Sequence, residues 1–119
     1  MKVFTVTEPV FKTEPLFIID CTHEALDAYL HRRFRISAGE NCGQIGQMFT
    51  FQKRPWRVVW SQKASLPVVL HELFHLVTRI CQDKGVPIRA HNEHGEIGDE
   101  TAAYLYEFFA KAVLRRVRT

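Results

Sequence analysis

The apolar positions divide the chain into short β-branched runs and longer stretches with helical spacing. "KVFTVT" (2–7) and "LFIID" (16–20) are rich in β-branched and aromatic residues and are separated by a stretch holding Pro9 and Pro15, which predicts two short strands. In "HEALDAYLHRRF" the residues Leu26, Tyr29, Leu30 and Phe34 recur at helical spacing, with Thr22 placed as N-cap and His23, Asp27, His31 and Arg32 left toward solvent. "SAGENCG" reads as a polar, glycine-bearing loop. "QIGQMFTFQ" and "WRVVW" follow as two strands joined through "KRP", the pattern of an antiparallel hairpin. Ser65 as cap, Pro67 in the first turn, and Gly85 and Pro87 as stop signals delimit a helix over 66–84. "VPIRAHNEHGEIGDE" is polar, and "ETAAYLYEFFAKAVLRRV" then returns to helical periodicity, with Asp99 or Gly98 as its cap and arginines in its last turn, where they favour the helix dipole.

The helix over 66–84 is mostly apolar, yet it carries two histidines and a glutamate at its middle, "HELFH". Burying such groups without partners costs about 1–3 kcal/mol each even when they are neutral, so the sequence has to supply partners. His71 and His75 are four residues apart, hence on one face one turn from each other, and both imidazoles can reach one ion. Glu72 sits one residue on, off the ligand face but within reach of a water at the metal's open position. That is the arrangement of an H-E-x-x-H site with the glutamate as general base. On a helical wheel His71, His75, Thr78 and Gln82 form one stripe among Leu, Val, Phe, Ile and Cys, so the polar residues are aligned and not scattered. The competing reading is two histidines satisfied by ordinary hydrogen bonds.

A catalytic zinc takes three protein ligands and leaves a fourth position to water. A histidine ten residues after His71 would mark a metzincin, but that position holds Cys81, off the ligand face, and Thr78 stands where the glycine of that motif belongs. Glu100 is the favoured third ligand. With Tyr104, Glu107 and Lys111 it forms the polar stripe of the last helix, and a rigid element can direct its carboxylate inward. His94, in the glycine-containing loop, is its rival. Glu107 and Lys111 are read as a solvated face.

Composition narrows the function without naming it. A chain of 119 residues that is 46% hydrophobic suits one domain, 1–119, able to bury about two-thirds of the surface its unfolded chain exposes. The formal charge of +3 arises partly from separate basic segments, "HRRFR" and "LRRVRT", without a base-reading or stacking motif, which makes nucleic acid a poor candidate partner. The N-terminus lacks the apolar core of a signal peptide and no stretch has the run of a membrane span, so a cytoplasmic location is expected. Cys21, Cys42 and Cys81 are odd in number, widely spaced and form no C-x-x-C pair, and read as reduced thiols.

With "WRVVW" before the active helix, "HELFH" within it and "DETAAYL" opening a glutamate-bearing helix, residues 45 to about 110 resemble the gluzincin zinc peptidases, in particular the minimal versions carried by phages and mobile elements. The resemblance implies an α+β fold, a small twisted and mostly antiparallel sheet packed on the H-E-x-x-H helix and on a C-terminal helix bearing the glutamate ligand. It implies a zinc-dependent metallopeptidase in which Glu72 activates a zinc-bound water, with a peptide or protein as substrate. Extended peptide would add to an edge strand formed by Trp56, Val58 and Trp60, residues that core packing would equally explain. The best-known members place an Asp four residues after the ligand glutamate, where this chain has Tyr104. Tyr104 is then either an oxyanion donor beside the metal or a packed tyrosine at the cleft rim. The second functional class is a metal-stabilised regulatory or peptide-binding protein that cuts little or nothing.

Overall fold

The computed structural model describes residues 1–86 and 100–117. Strand β1 (Lys2–Thr5) pairs antiparallel with β2 (Leu16–Ile19), and α1 (His23–Phe34) follows. Strands β3 (Gly46–Thr50) and β4 (Arg57–Ser61) form the expected antiparallel hairpin, and β4 inserts parallel to β2, giving the order β1-β2-β4-β3. Helices α2 (Leu66–Asp83) and α3 (Glu100–Val117) complete an α+β fold with a mixed sheet in which two of three pairings are antiparallel.

The sheet is covered on both faces. Phe17, Ile19 and Val59 pack against α2 and α3 through Leu73, Leu76, Ile80, Leu105 and Phe109. Leu16, Ile18, Val58 and Trp60 point the other way, onto Leu26 and Leu30 of α1. This is why β2 is buried at every position: a strand between two layers has no solvent face and reads as a continuous apolar run. No described helix is long and apolar enough to cross a membrane.

Local chemistry accounts for the helix ends. Thr22 Oγ1 accepts from Ala25 N at 3.2 Å, the capping bond that starts α1. Helix α2 begins after Ser65, whose side chain makes no capping bond, with Pro67 in the first turn, where its missing N–H leaves no helical bond unmade. It ends in a Schellman motif: Val86 N donates to Cys81 O at 2.8 Å and Gly85 N to Gln82 O at 3.3 Å, with Gly85 at φ +69°.

One expectation is overturned. Strand β4 is not an edge: both of its ladders are occupied, by β2 on one side and β3 on the other. Val58 and Trp60 are fully buried, and Trp60 Nε1 donates to Cys21 O at 3.0 Å. They are core residues and offer no surface to a peptide, while Trp56 lies just before the strand and is half exposed. Among the described residues the unpaired edges belong to β1 and β3, and β3 packs against α2.

Candidate metal centre

On α2 the apolar residues Val69, Leu73, Leu76, Val77 and Ile80 turn inward. That leaves His71, Phe74 and His75 exposed and carries Glu72, at the border between the two faces, to 6% exposure. The burial is the reverse of the expected one: the imidazoles stand at the surface and the carboxylate goes under. One helical turn separates the histidines, and their rings meet edge to face with centroids 4.9 Å apart. Their Nε2 atoms face each other at 3.3 Å. Two nitrogens each about 2.05 Å from a tetrahedral zinc stand about 3.3 Å apart, so the pair is spaced as two ligands of one ion would be.

The Glu72 carboxylate completes the group. Ligand atoms of His71, Glu72 and His75 all lie within 4.8 Å of one another. Burial pushes the Glu72 pKa up and the charges of His75 and His71 pull it down, and burial wins, so the carboxyl is held above its ordinary range. Its Oε2 is buried with no hydrogen-bond partner among the described residues. A buried carboxylate oxygen without a donor is expensive, and a cation or a water held beside it removes that cost. Two imidazoles at this spacing, with a carboxylate beside them, suit zinc among the common divalent ions.

Gly46, opening β3, sets the wall opposite. A Cβ there would meet Val68 Cγ1 at 2.8 Å and Glu72 Cγ at 3.2 Å, so the absence of a side chain is what lets the strand approach the helix and press on the glutamate stem. Sequence reading did not single out Gly46. Its role depends on a contact across 26 residues of chain, and a lone glycine in a strand pattern signals only that something comes close. Between the helix and this strand lies a cavity of about 540 Å³ bounded by Gln44, Gly46, Val68, His71, Glu72 and His75.

The remaining expected residues are placed as follows. Glu100 is the first residue of α3 and is exposed, outside the group formed by His71, Glu72 and His75. Tyr104, one turn further, is half exposed. Tyr106 Oη donates to Leu70 O at 3.4 Å, which fixes the first half of α3 beside the turn that carries His71. His94, and the capping candidates Gly98 and Asp99, lie outside the described residues. Glu107 pairs with Lys111 at 2.8 Å on the exposed face of α3, a solvated i,i+4 pair. No family model, curated protein or solved structure matches the chain.

Proposed function

We propose that the protein is a zinc-dependent metallopeptidase of gluzincin type, acting in the cytoplasm on a peptide or protein. The observation that carries this reading is the pair of Nε2 atoms 3.3 Å apart beside a buried carboxylate with one oxygen unpartnered. His71 and His75 hold the ion, with Glu100 or His94 as third ligand. Zinc, when bound, supplies Lewis-acid polarisation of the scissile carbonyl.

The protein's own contribution is proton handling and positioning. Water adds to the carbonyl carbon as one of its protons passes to the Glu72 carboxylate. The same carboxyl returns the proton to the amide nitrogen as the C–N bond breaks, so no covalent intermediate forms and Glu72 ends as it began. A pKa held above the ordinary carboxylate range suits both halves of that exchange, since the group must accept a proton and then release it. Among the described residues, the backbone edge that could align an extended peptide next to the cluster is that of β3, in place of the 56–60 segment.

Tyr104 standing where related enzymes keep an Asp, and exposed, favours a second reading in which the same site binds peptide without cutting it. The deciding experiment is digestion of an unstructured protein by wild type and Glu72→Gln, both at full zinc occupancy by elemental analysis. Loss of cleavage by a factor of about 10² to 10⁴ in the variant, with zinc and fold retained, supports the peptidase. Equal cleavage by both excludes Glu72 as the base, and no cleavage by either across a broad peptide library supports the binding protein.

A further inference from the structure

The cavity at the metal centre is the first of four that share wall residues in turn. It shares Gln44, Glu72 and His75 with a second, of about 340 Å³, that runs along α2 past Gln47, Met48 and Thr78 to Arg79. Arg79 also borders a third, of about 270 Å³, whose other walls include Thr50, Trp56, Arg57 and Lys84. Trp56, Arg57 and Lys84 in turn border a fourth, of about 390 Å³, closed by the 11–16 segment and Arg54. The first three form a groove between α2 and β3, whose outer edge is unpaired among the described residues, running from Glu72 to the Trp56 region; the fourth lies just beyond, against the ends of β1 and β2 and Phe34 of α1.

The far end is strongly basic. Among the described residues, Lys12, Arg54, Arg57 and Lys84 line the last cavity against one carboxylate, Glu14. Next to it a single carboxylate, Asp83, serves two guanidinium groups: Oδ2 lies 2.7 Å from Arg57 Nη2 and Oδ1 lies 3.1 Å from Arg79 Nε. Arg57 Nε is left without a hydrogen-bond partner among the described residues. Trp56, 51% exposed, provides an apolar wall where the third and fourth cavities meet. Among the described residues, cationic charge is therefore in excess over carboxylate charge at that end, while Gln44, Gln47, Met48 and Thr78 line the middle up to Arg79.

We infer that this end is a subsite for an acidic side chain, so that the substrate is an extended peptide with Asp or Glu about five residues from the bond held at His71 and His75. The inference rests on the peptide reading of the α2 groove. The spacing follows from geometry: the middle of the histidine pair is about eleven residues from Lys84, or about 16 Å along a helix, and extended peptide advances about 3.3 Å per residue. A peptide is the occupant because the groove follows a strand edge that is unpaired among the described residues, whose backbone N–H and C=O groups can bond an extended chain.

The test uses full-length Glu72→Gln protein and a fluorescent, acetylated and amidated peptide of neutral residues with Glu at both positions five residues from its centre. Its counterpart carries Gln at both. Anisotropy titration is expected to give about tenfold tighter binding of the Glu peptide, the size of one or two charge-assisted hydrogen bonds, with the preference weakening as salt is raised. In an Arg54→Gln, Lys84→Gln variant, both positions being exposed, the preference should fall to about twofold. Equal affinity for the two peptides, binding of neither, or tighter binding of a single-stranded oligonucleotide of similar length overturns the inference. Cleavage of the same peptides by wild type is read separately: Glu-dependent binding without cleavage keeps the subsite and removes the peptidase.

Discussion

Glu8 and Glu72 are both carboxylates taken out of water, and the protein treats them in opposite ways. Glu8, fully buried, closes the 8–13 turn: its oxygens accept from Val10 N at 2.7 Å, Phe11 N at 3.0 Å, Thr13 N at 2.9 Å and Thr13 Oγ1 at 3.0 Å. Burial alone would raise its pKa, but the bonds from Thr13, Phe11 and Val10 outweigh it and hold the carboxyl below its ordinary range. Glu72 has burial without the donors, and its pKa moves up. A carboxylate whose lone pairs are all taken is a structural brace. One that lies beside two imidazoles with an oxygen left unpartnered among the described residues is available for chemistry.

The sharpest break in the comparison is functional. In the proposed peptidase, Glu72→Gln should slow cleavage by the factor given above, whereas a Glu8 variant, once folded, should cleave at the wild-type rate. If Glu8→Gln lost activity at a temperature where circular dichroism shows it folded, the division of labour between the two carboxylates would be wrong.

Next in size is stability. Glu8→Ala strands three backbone N–H donors of the 8–13 turn and should lower the unfolding free energy by about 3 kcal/mol, read as a shift in urea midpoint at constant slope. The pH dependence has a definite sign. A carboxyl whose folded pKa is depressed contributes stability above its unfolded value of about 4.3, and that contribution is lost as pH falls through the folded value. Wild type should therefore lose more stability than Glu8→Gln on acidification below about pH 4. Parallel acid limbs for the two proteins would mean that the turn does not depend on the charge. In metal-free protein Glu72→Gln should do the reverse of Glu8→Ala and stabilise by about 1 kcal/mol, since it removes a buried charge that lacks donors.

Much of this arrangement was legible in the chain, and the exceptions have physical causes. The bounds of α1 and α3 follow from their periodicity, and α2 ends one residue before the expected Lys84 because the Schellman bonds from Gly85 and Val86 close it there. Histidine spacing is a local property of a helix, so the pairing of His71 with His75 was readable, but which side of the helix meets the sheet was not. Strand order is a long-range property. "WRVVW" was read as an edge although its run of Val58, Val59 and Trp60 has no polar alternation, the mark of a strand covered on both faces. Glu8 was passed over because three of its four donors are backbone N–H groups, which carry no sequence signature.

Gly46 makes a smaller test of the wall beside Glu72. Gly46→Ala places a methyl 2.8 Å from Val68 Cγ1, and the overpacking should lower stability by about 1–2 kcal/mol while displacing the glutamate stem. The cleavage proposed above should suffer more than the melting temperature suggests. Normal activity in a protein destabilised by that amount would show that the close approach of β3 serves packing alone.

The smallest stability effect belongs to the residue whose ligand effect should be among the largest. His71 is exposed, touches its partner histidine at 3.3 Å and contributes nothing to the apolar cluster under α2. Without metal, His71→Ala should therefore stay within about 0.5 kcal/mol of wild type, the usual range for a surface substitution. With zinc the two proteins should separate. An ion bound only to the folded state stabilises it by RT ln(1 + [L]/Kd), about 2.7 kcal/mol at a hundredfold excess over Kd, and the variant, short of one ligand, should gain little of this. The measurement is a pair of thermal melts per protein, with chelator and with zinc. Equal zinc-induced shifts in the two would show that His71 does not hold the ion. A large destabilisation of His71→Ala in chelator would put the histidine on the structural side, with Glu8, and not on the side of Glu72.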